Sequence, residues 1–177
     1  MRMQRYSAKI FFMVERTSEG REELRVVREG VLEQGREEAW RALITAHAAA
    51  VEGIERGLVE AGLPPLGWYD VLLELSAAPG RRLRMHELAR AVVLSRSGLT
   101  RLVDRLERAG LLRREPDPAD GRGSFAVLTD EGARMRERMW PVYAKGIAEH
   151  FGAYVSEEEA EVLTRALRRV RAAAGPS

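Results

Sequence analysis

The sequence predicts a mainly α-helical fold carrying one two-stranded β-hairpin. Three observations predict it. From Glu37 onward, apolar residues recur at three- and four-residue steps over most of the chain, the period of helices with one buried face. Between Leu111 and Leu128 that period gives way to two strand-like runs around a segment dense in turn formers. Positive charge is also concentrated: residues 81–122 hold 11 arginines against 6 acids, while residues 1–80 are net acidic and residues 123–177 balance. A basic middle with neutral or acidic flanks is expected when one segment faces phosphate and the rest does something else.

Composition narrows the class. Hydrophobic residues make up 45% of the 177, enough for a packed core. No apolar run approaches the roughly 18 residues of a membrane span. The short stretch Ile10–Val14 is interrupted by Glu15 and Arg16, unlike a signal peptide. The expected location is cytoplasmic. There is no cysteine, which removes disulfides, thiolate-bound zinc and thiol redox chemistry.

The elements follow in order. Residues 1–35 form an N-terminal extension in which Gly20, Gly30 and Gly35 weaken any continuous helix. Trp40, Leu43, Ile44, His47, Val51, Ile54 and Leu58 then mark one stripe of a long helix that ends near Gly62, with Pro64 and Pro65 as stops. A second helix spans about Gly67 to Ala77 and closes at Pro79-Gly80. A third covers Met85 to Val93, with Leu88, Ala89 and Val92 inward. Ser95 is placed to cap a fourth, whose buried stripe is Leu99, Leu102, Val103 and Leu106 and whose end is Gly110. Leu111 to Glu115 and Ser124 to Leu128 are the hairpin strands. Thr129 caps a long helix that passes a kink at Pro141 and reaches about Tyr154. The last helix opens on a capping box, Ser156 with Glu159. Its tail, Gly175-Pro176-Ser177, is expected to be loose.

The chemistry sits on the fourth helix and the hairpin. Opposite the buried stripe lie Arg96, Ser97, Thr100, Arg101 and Arg105. A helix with an outer face of hydroxyls and arginines, entered through a short helix and a tight turn, fits a DNA major groove. The hairpin after it reads as a wing, so the segment is a winged helix-turn-helix lobe. Arg113 and Arg114 are either phosphate contacts or strand-edge residues. Asp120 either shapes the wing or simply favours its turn. The helices at the two ends have little else to bury against, so they are expected to pair with a second copy.

The order of elements and several local runs resemble the MarR family of bacterial transcriptional regulators, over roughly Trp40 to Ala172. The runs are Tyr69-Asp70-Val71-Leu72-Leu73-Glu74-Leu75, Glu87-Leu88-Ala89, Leu94 to Arg114, and the wing Asp117 to Gly123 followed by Leu128-Thr129-Asp130-Glu131-Gly132. The resemblance implies a homodimeric regulator, usually a repressor, that binds a pseudo-palindromic operator. The Ser95–Arg108 helix would lie in the major groove. Arg122 at the wing tip would enter the minor groove, where Asp120 holds the wing in place. It also implies release by a small aromatic or phenolic effector between lobe and dimer helices, for which Trp40, His47, Trp68, Tyr69 and Asp70 are the candidate lining. The implied division is an extension over 1–35, a dimerisation helix over 36–62, the DNA-binding lobe over 63–128 and dimerisation helices over 129–174. Where the family often places Ser or Thr at the start of the third helix, this chain has Met85-His86.

Other classes fare worse. No G-x-S-x-G, H-E-x-x-H, Gly-rich phosphate loop or cysteine nucleophile points to an enzyme. His47, His86 and His150 fall in three different helices without metal-ligand spacing, so no metal or other cofactor is expected. The alternative is a winged-helix adaptor or architectural protein that binds protein partners, or DNA without sequence preference.

Overall fold

A computed structural model of the chain describes residues 34–92, 96–118 and 120–173; for Gln34, Arg96, Ser97, Asp120, Gly121 and Arg122 it describes the backbone alone. The expected cap Ser95, the extension up to residue 33 and the tail Gly175-Pro176-Ser177 lie outside the described residues. The chain divides into two units, Met1–Glu38 and Ala39–Ser177.

The helices are α1 (Gln34–Glu60), α2 (Leu66–Ala77), α3 (Met85–Ala91), α4 (Arg96–Arg108), α5 (Asp130–His150) and α6 (Glu157–Ala173). Between them run β1 (Arg82–Arg84), β2 (Leu112–Asp117) and β3 (Asp120–Leu128), an antiparallel sheet ordered β1-β3-β2. The fold class is the expected one, a helical protein with a winged helix-turn-helix lobe.

Four details differ from the sequence reading. The sheet has a third strand: Leu83 pairs with Ala126, and its neighbours Arg82 and Arg84 pair with Val127 and Phe125. A three-residue strand of two arginines around one leucine is too short to show alternation and exists through its partner. The hairpin strands are longer than expected, and Pro116, Asp117 and Asp120 to Gly123 are strand, not turn. The third helix stops at Ala91, because Val92 turns extended at φ −90°, ψ 129°. The fifth stops at His150, where Phe151 leaves helical geometry and a short 3-10 turn, Gly152–Tyr154, follows. Pro141 lies inside α5 without ending it.

The lobe core joins Val71, Leu72 and Leu75 of α2 to Leu88 and Val92 around α3. It continues through Leu99, Leu102, Val103 and Leu106 of α4 to Leu111, Leu112, Ala126 and Leu128. Each fully buried Leu or Val contributes about 1.5–3 kcal/mol. A second cluster joins Ile54 and Leu58 of α1, Tyr69 of α2 and Met139 of α5. Met135 of α5 packs against both clusters and ties the lobe to the helices behind it. Glu55 of α1 accepts a hydrogen bond from the Leu66 N–H at 3.0 Å, which satisfies an open donor at the start of α2.

The junction of lobe and α5 depends on two glycines. Gly110, at φ +72°, ends α4, and the Leu111 N–H then reaches back to the Leu106 carbonyl at 3.0 Å. Thr129 Oγ1 donates to the Gly110 carbonyl at 2.7 Å and accepts from the Gly132 N–H at 3.1 Å, so one side chain closes α4 and opens α5. A Cβ on Gly132 would stand 2.0 Å from the Leu111 carbonyl oxygen. Only glycine permits that approach. Gly132→Ala is therefore expected to destabilise the fold by about 1–3 kcal/mol in urea unfolding. Gly67→Ala, whose Cβ meets only a Leu102 methyl at 3.9 Å, should be close to neutral.

Candidate nucleic-acid interface

Helix α4 sets the geometry. Leu99, Leu102, Val103 and Leu106 are all at most 5% exposed, so this face is locked into the lobe. The opposite face presents Thr100, Arg101, Arg105 and Arg108 to solvent. The side chains of Arg105 and Arg108 lie along the helix, donating from Nε to the carbonyls of Arg101 and Asp104 at 3.3 and 3.2 Å. Among the described residues neither Arg101 nor Arg105 has a carboxylate partner.

The acids of α4 are turned elsewhere. Asp104 and Glu107 both pair with Arg114 of β2, at 2.5 and 2.8 Å, and Glu107 also accepts the Arg114 backbone N–H at 2.9 Å. Arg114 is thus a structural cation that fastens β2 to α4. It also neutralises the two acids that would otherwise oppose phosphate. Sequence reasoning left Arg114 open between phosphate and strand edge. The pairing follows from strand alternation, which points Leu112 and Arg114 towards α4 and Arg113 and Glu115 away.

Arg113 is exposed and holds Glu115 through Nε and Nη2, at 3.0 and 2.7 Å. An exposed pair of this kind is worth less than about 1 kcal/mol, so exchange for a phosphate is cheap. On the same sheet face Arg82 and Arg84 lie over the Phe125 ring, at 4.2 and 5.6 Å from its centroid. Arg84 Nε also meets the Asp117 carboxylate at 2.8 Å. Asp117 is the one buried charged residue among those described, at 4% exposure. Sequence reasoning chose Asp120 as the acid of the wing and passed over Asp117. The Arg84 backbone N–H, in turn, donates to Glu87 Oε2 at 2.9 Å, which anchors the start of α3 where no Ser or Thr is present.

The remaining predicted DNA residues are placed by backbone. Arg96 and Ser97 open α4, and Asp120 and Arg122 lie in β3 on the wing. Arg96 and Ser97 therefore share α4 with Arg101 and Arg105, and Asp120 and Arg122 lie on the strand that pairs with Arg113's β2. Ser95 lies outside the described residues.

The candidate effector residues do not converge within one chain. Trp68 packs against the lobe core, whereas its neighbour Tyr69 is buried in the second cluster. Tyr69 stacks with Trp140 at 6.2 Å and meets Tyr143 edge-on at 4.8 Å. Burial raises the pKa of the Tyr69 phenol, and a hydrogen bond from Arg136 partly offsets it. Trp40 and His47 are exposed on α1, about 21 and 10 Å along the helix axis from Ile54. Asp70 is exposed but stands close to Glu74 and Glu55; partial desolvation, then these two carboxylates, raise its pKa.

A short helix followed by an arginine-faced helix and a sheet-borne wing defines the class: a winged helix-turn-helix DNA-binding protein. The MarR family model matches residues 61–123. The transcriptional regulator HosA of Escherichia coli O111:H- is 32% identical over 102 residues, covering 58% of this chain and 73% of HosA. The structure of Sco3205, a MarR family transcriptional regulator from Streptomyces coelicolor in complex with DNA, is 34% identical. It superposes with a TM-score of 0.75 over 83% of this chain and 92% of that one. AbsC, another MarR family transcriptional regulator from Streptomyces coelicolor, is 32% identical with a TM-score of 0.71, over 80% of this chain and 95% of AbsC. The chain belongs to the MarR family of DNA-binding transcriptional regulators.

The raised pKa of Asp70 has a definite sign. Folding disfavours its charged form, so the folded protein is least penalised at low pH, and the penalty appears as pH rises through the folded pKa. Asp70→Asn is expected to raise the Tm at pH 7, with the gain disappearing below about pH 4. Thermal melts across that range check it; a gain that persists in acid contradicts the assignment.

Proposed function

We propose that the protein is a homodimeric repressor that binds a pseudo-palindromic operator, with α4 in the major groove and the Arg122 wing in the minor groove. The observation that carries this reading is the sorting of charge on α4. Its acids are consumed by Arg114, and Arg101 and Arg105 face solvent without a carboxylate. An outer face so arranged suits guanine edges and phosphates. The wing supplies the second contact, because an arginine in a narrow minor groove meets enhanced negative potential.

Dimerisation is supported by the apolar surface that one chain leaves uncovered. No residue of α6 is buried, and Val162 and Val170 are 56% and 64% exposed. Trp40 and Ile44 on α1, Trp140 on α5, and Phe151 and Tyr154 beyond it are also exposed. Monomers rarely leave so many large apolar residues in water. On this reading, residues 36–62 and 129–174 form the dimer body and residues 63–128 the DNA-binding lobe, with 1–35 an extension to it. An aromatic effector would act near Tyr69, where the half-exposed Trp140 closes the edge of the aromatic cluster.

The experiment is titration of a duplex from immediately upstream of the gene, at several salt concentrations, with wild type, Arg101→Ala and Arg122→Ala. Each variant is expected to lose about 1–3 kcal/mol of binding, and wild-type affinity to fall steeply with log salt. Weak, salt-insensitive binding unchanged in both variants would instead favour a winged-helix adaptor that recognises protein.

A further inference from the structure

The wing is a lever on a narrow base. β1 supports β3 only from Phe125 to Val127, so from Ser124 to the tip the hairpin is a ribbon of two strands. Such ribbons are marginally stable alone and twist strongly. Register also shifts between Pro116 and Asp117, which loosens the ladder where the ribbon leaves the sheet. Arg122 lies three residues beyond Phe125, about 10 Å along the strand. A tilt of about 20° at the base would carry it more than 3 Å, farther than a hydrogen bond tolerates.

Two arginines of β1 reach across that base, Arg82 to Glu115 at 3.9 Å and Arg84, more closely, to Asp117. Arg84 ends β1 opposite Phe125 and reaches across β3 to the Asp117 carboxylate on β2, at 2.8 Å. The Asp117 side chain is 3% exposed and that of Arg84 41%, so the carboxylate is withdrawn from water while the guanidinium stays at the surface. Phe125 lies beneath both Arg82 and Arg84, its ring centroid 4.2 and 5.6 Å from their guanidinium carbons. The Arg84 backbone N–H is fixed by Glu87, so the brace is rooted in the first turn of α3. Arg84 thereby ties the start of α3 to the wing, as Arg114 ties α4 to β2.

We propose that Arg84, through its ion pair with Asp117, is a positioning residue that sets the pose of the wing and hence of Arg122. The inference rests on the proposed minor-groove role of Arg122. Arg84 lies on the sheet that carries the wing and is itself basic and partly exposed, so the rival explanation is a direct phosphate contact. Two readouts separate them. Asp117→Asn removes a negative charge from the basic surface, so electrostatics alone would strengthen DNA binding. Positioning predicts the opposite sign. The second readout is a double-mutant cycle, since a residue that acts through Arg122 has nothing to act on once Arg122 is gone.

The full-length protein is titrated by fluorescence anisotropy against the same labelled upstream duplex at fixed salt. Thermal melts establish that each variant is folded. Asp117→Asn and Arg84→Gln are each expected to weaken binding by about five-fold or more, and Arg84→Gln to change it less than about two-fold in an Arg122→Ala background. Arg84→Gln keeps the backbone cap to Glu87, and its side chain is largely exposed. It therefore carries the test alone if Asp117→Asn does not fold. Equal losses from Arg84→Gln in both backgrounds, or tighter binding by Asp117→Asn, overturn the positioning role and leave the minor-groove reading intact. A duplex bound equally well by Arg122→Ala and wild type overturns both.

Discussion

Helix α4 has to bury one face, and the way it does so governs much of the lobe. Leu99, Leu102, Val103 and Leu106 occupy one side of thirteen residues and fix the rotation of the helix in the lobe. With the rotation fixed, Thr100, Arg101 and Arg105 have nowhere to go but outward. Asp104 and Glu107 fall at the flank, within reach of Arg114 on the strand that follows. The reading face is therefore a by-product of core packing, and core substitutions that rotate α4 would disturb recognition without touching an arginine.

The lobe is connected to the rest of the chain by short-range contacts with little slack. Gly110, Thr129 and Gly132 place the end of α4, the end of β3 and the start of α5 within hydrogen-bond distance of each other. Met135, one turn further on, is shared between the two hydrophobic clusters. Movement of α5 would pass to the strands of the wing through backbone contacts. This is the kind of stiff connection that a regulator needs if events at the helices behind the lobe are to alter its DNA-facing side.

Much of this was legible in the sequence because it is local. The stripe on α4, the cap at Thr129, the box formed by Ser156 and Glu159 (2.9 and 3.3 Å), and the glycine stop at Gly110 each depend on residues close together in the chain. What escaped depends on pairing at long range. β1 exists because Leu83 meets Ala126, and the buried Asp117 is paired with Arg84, thirty-three positions earlier. Arg113 and Arg114 look alike in sequence, and only strand alternation separates the exposed one from the clamped one. The exposed half of the α1 stripe carries a different lesson: Trp40 and Ile44 have the period of a core residue but no core among the described residues.

On the proposed reading, α4 and the wing together form one DNA-facing surface. Hydroxyl-radical footprinting of the bound upstream duplex tests it most directly. Two protected half-sites are expected about one helical turn apart, each with minor-groove protection flanking the segment covered by α4. Uniform weak protection, or a single protected patch without minor-groove flanks, would contradict it.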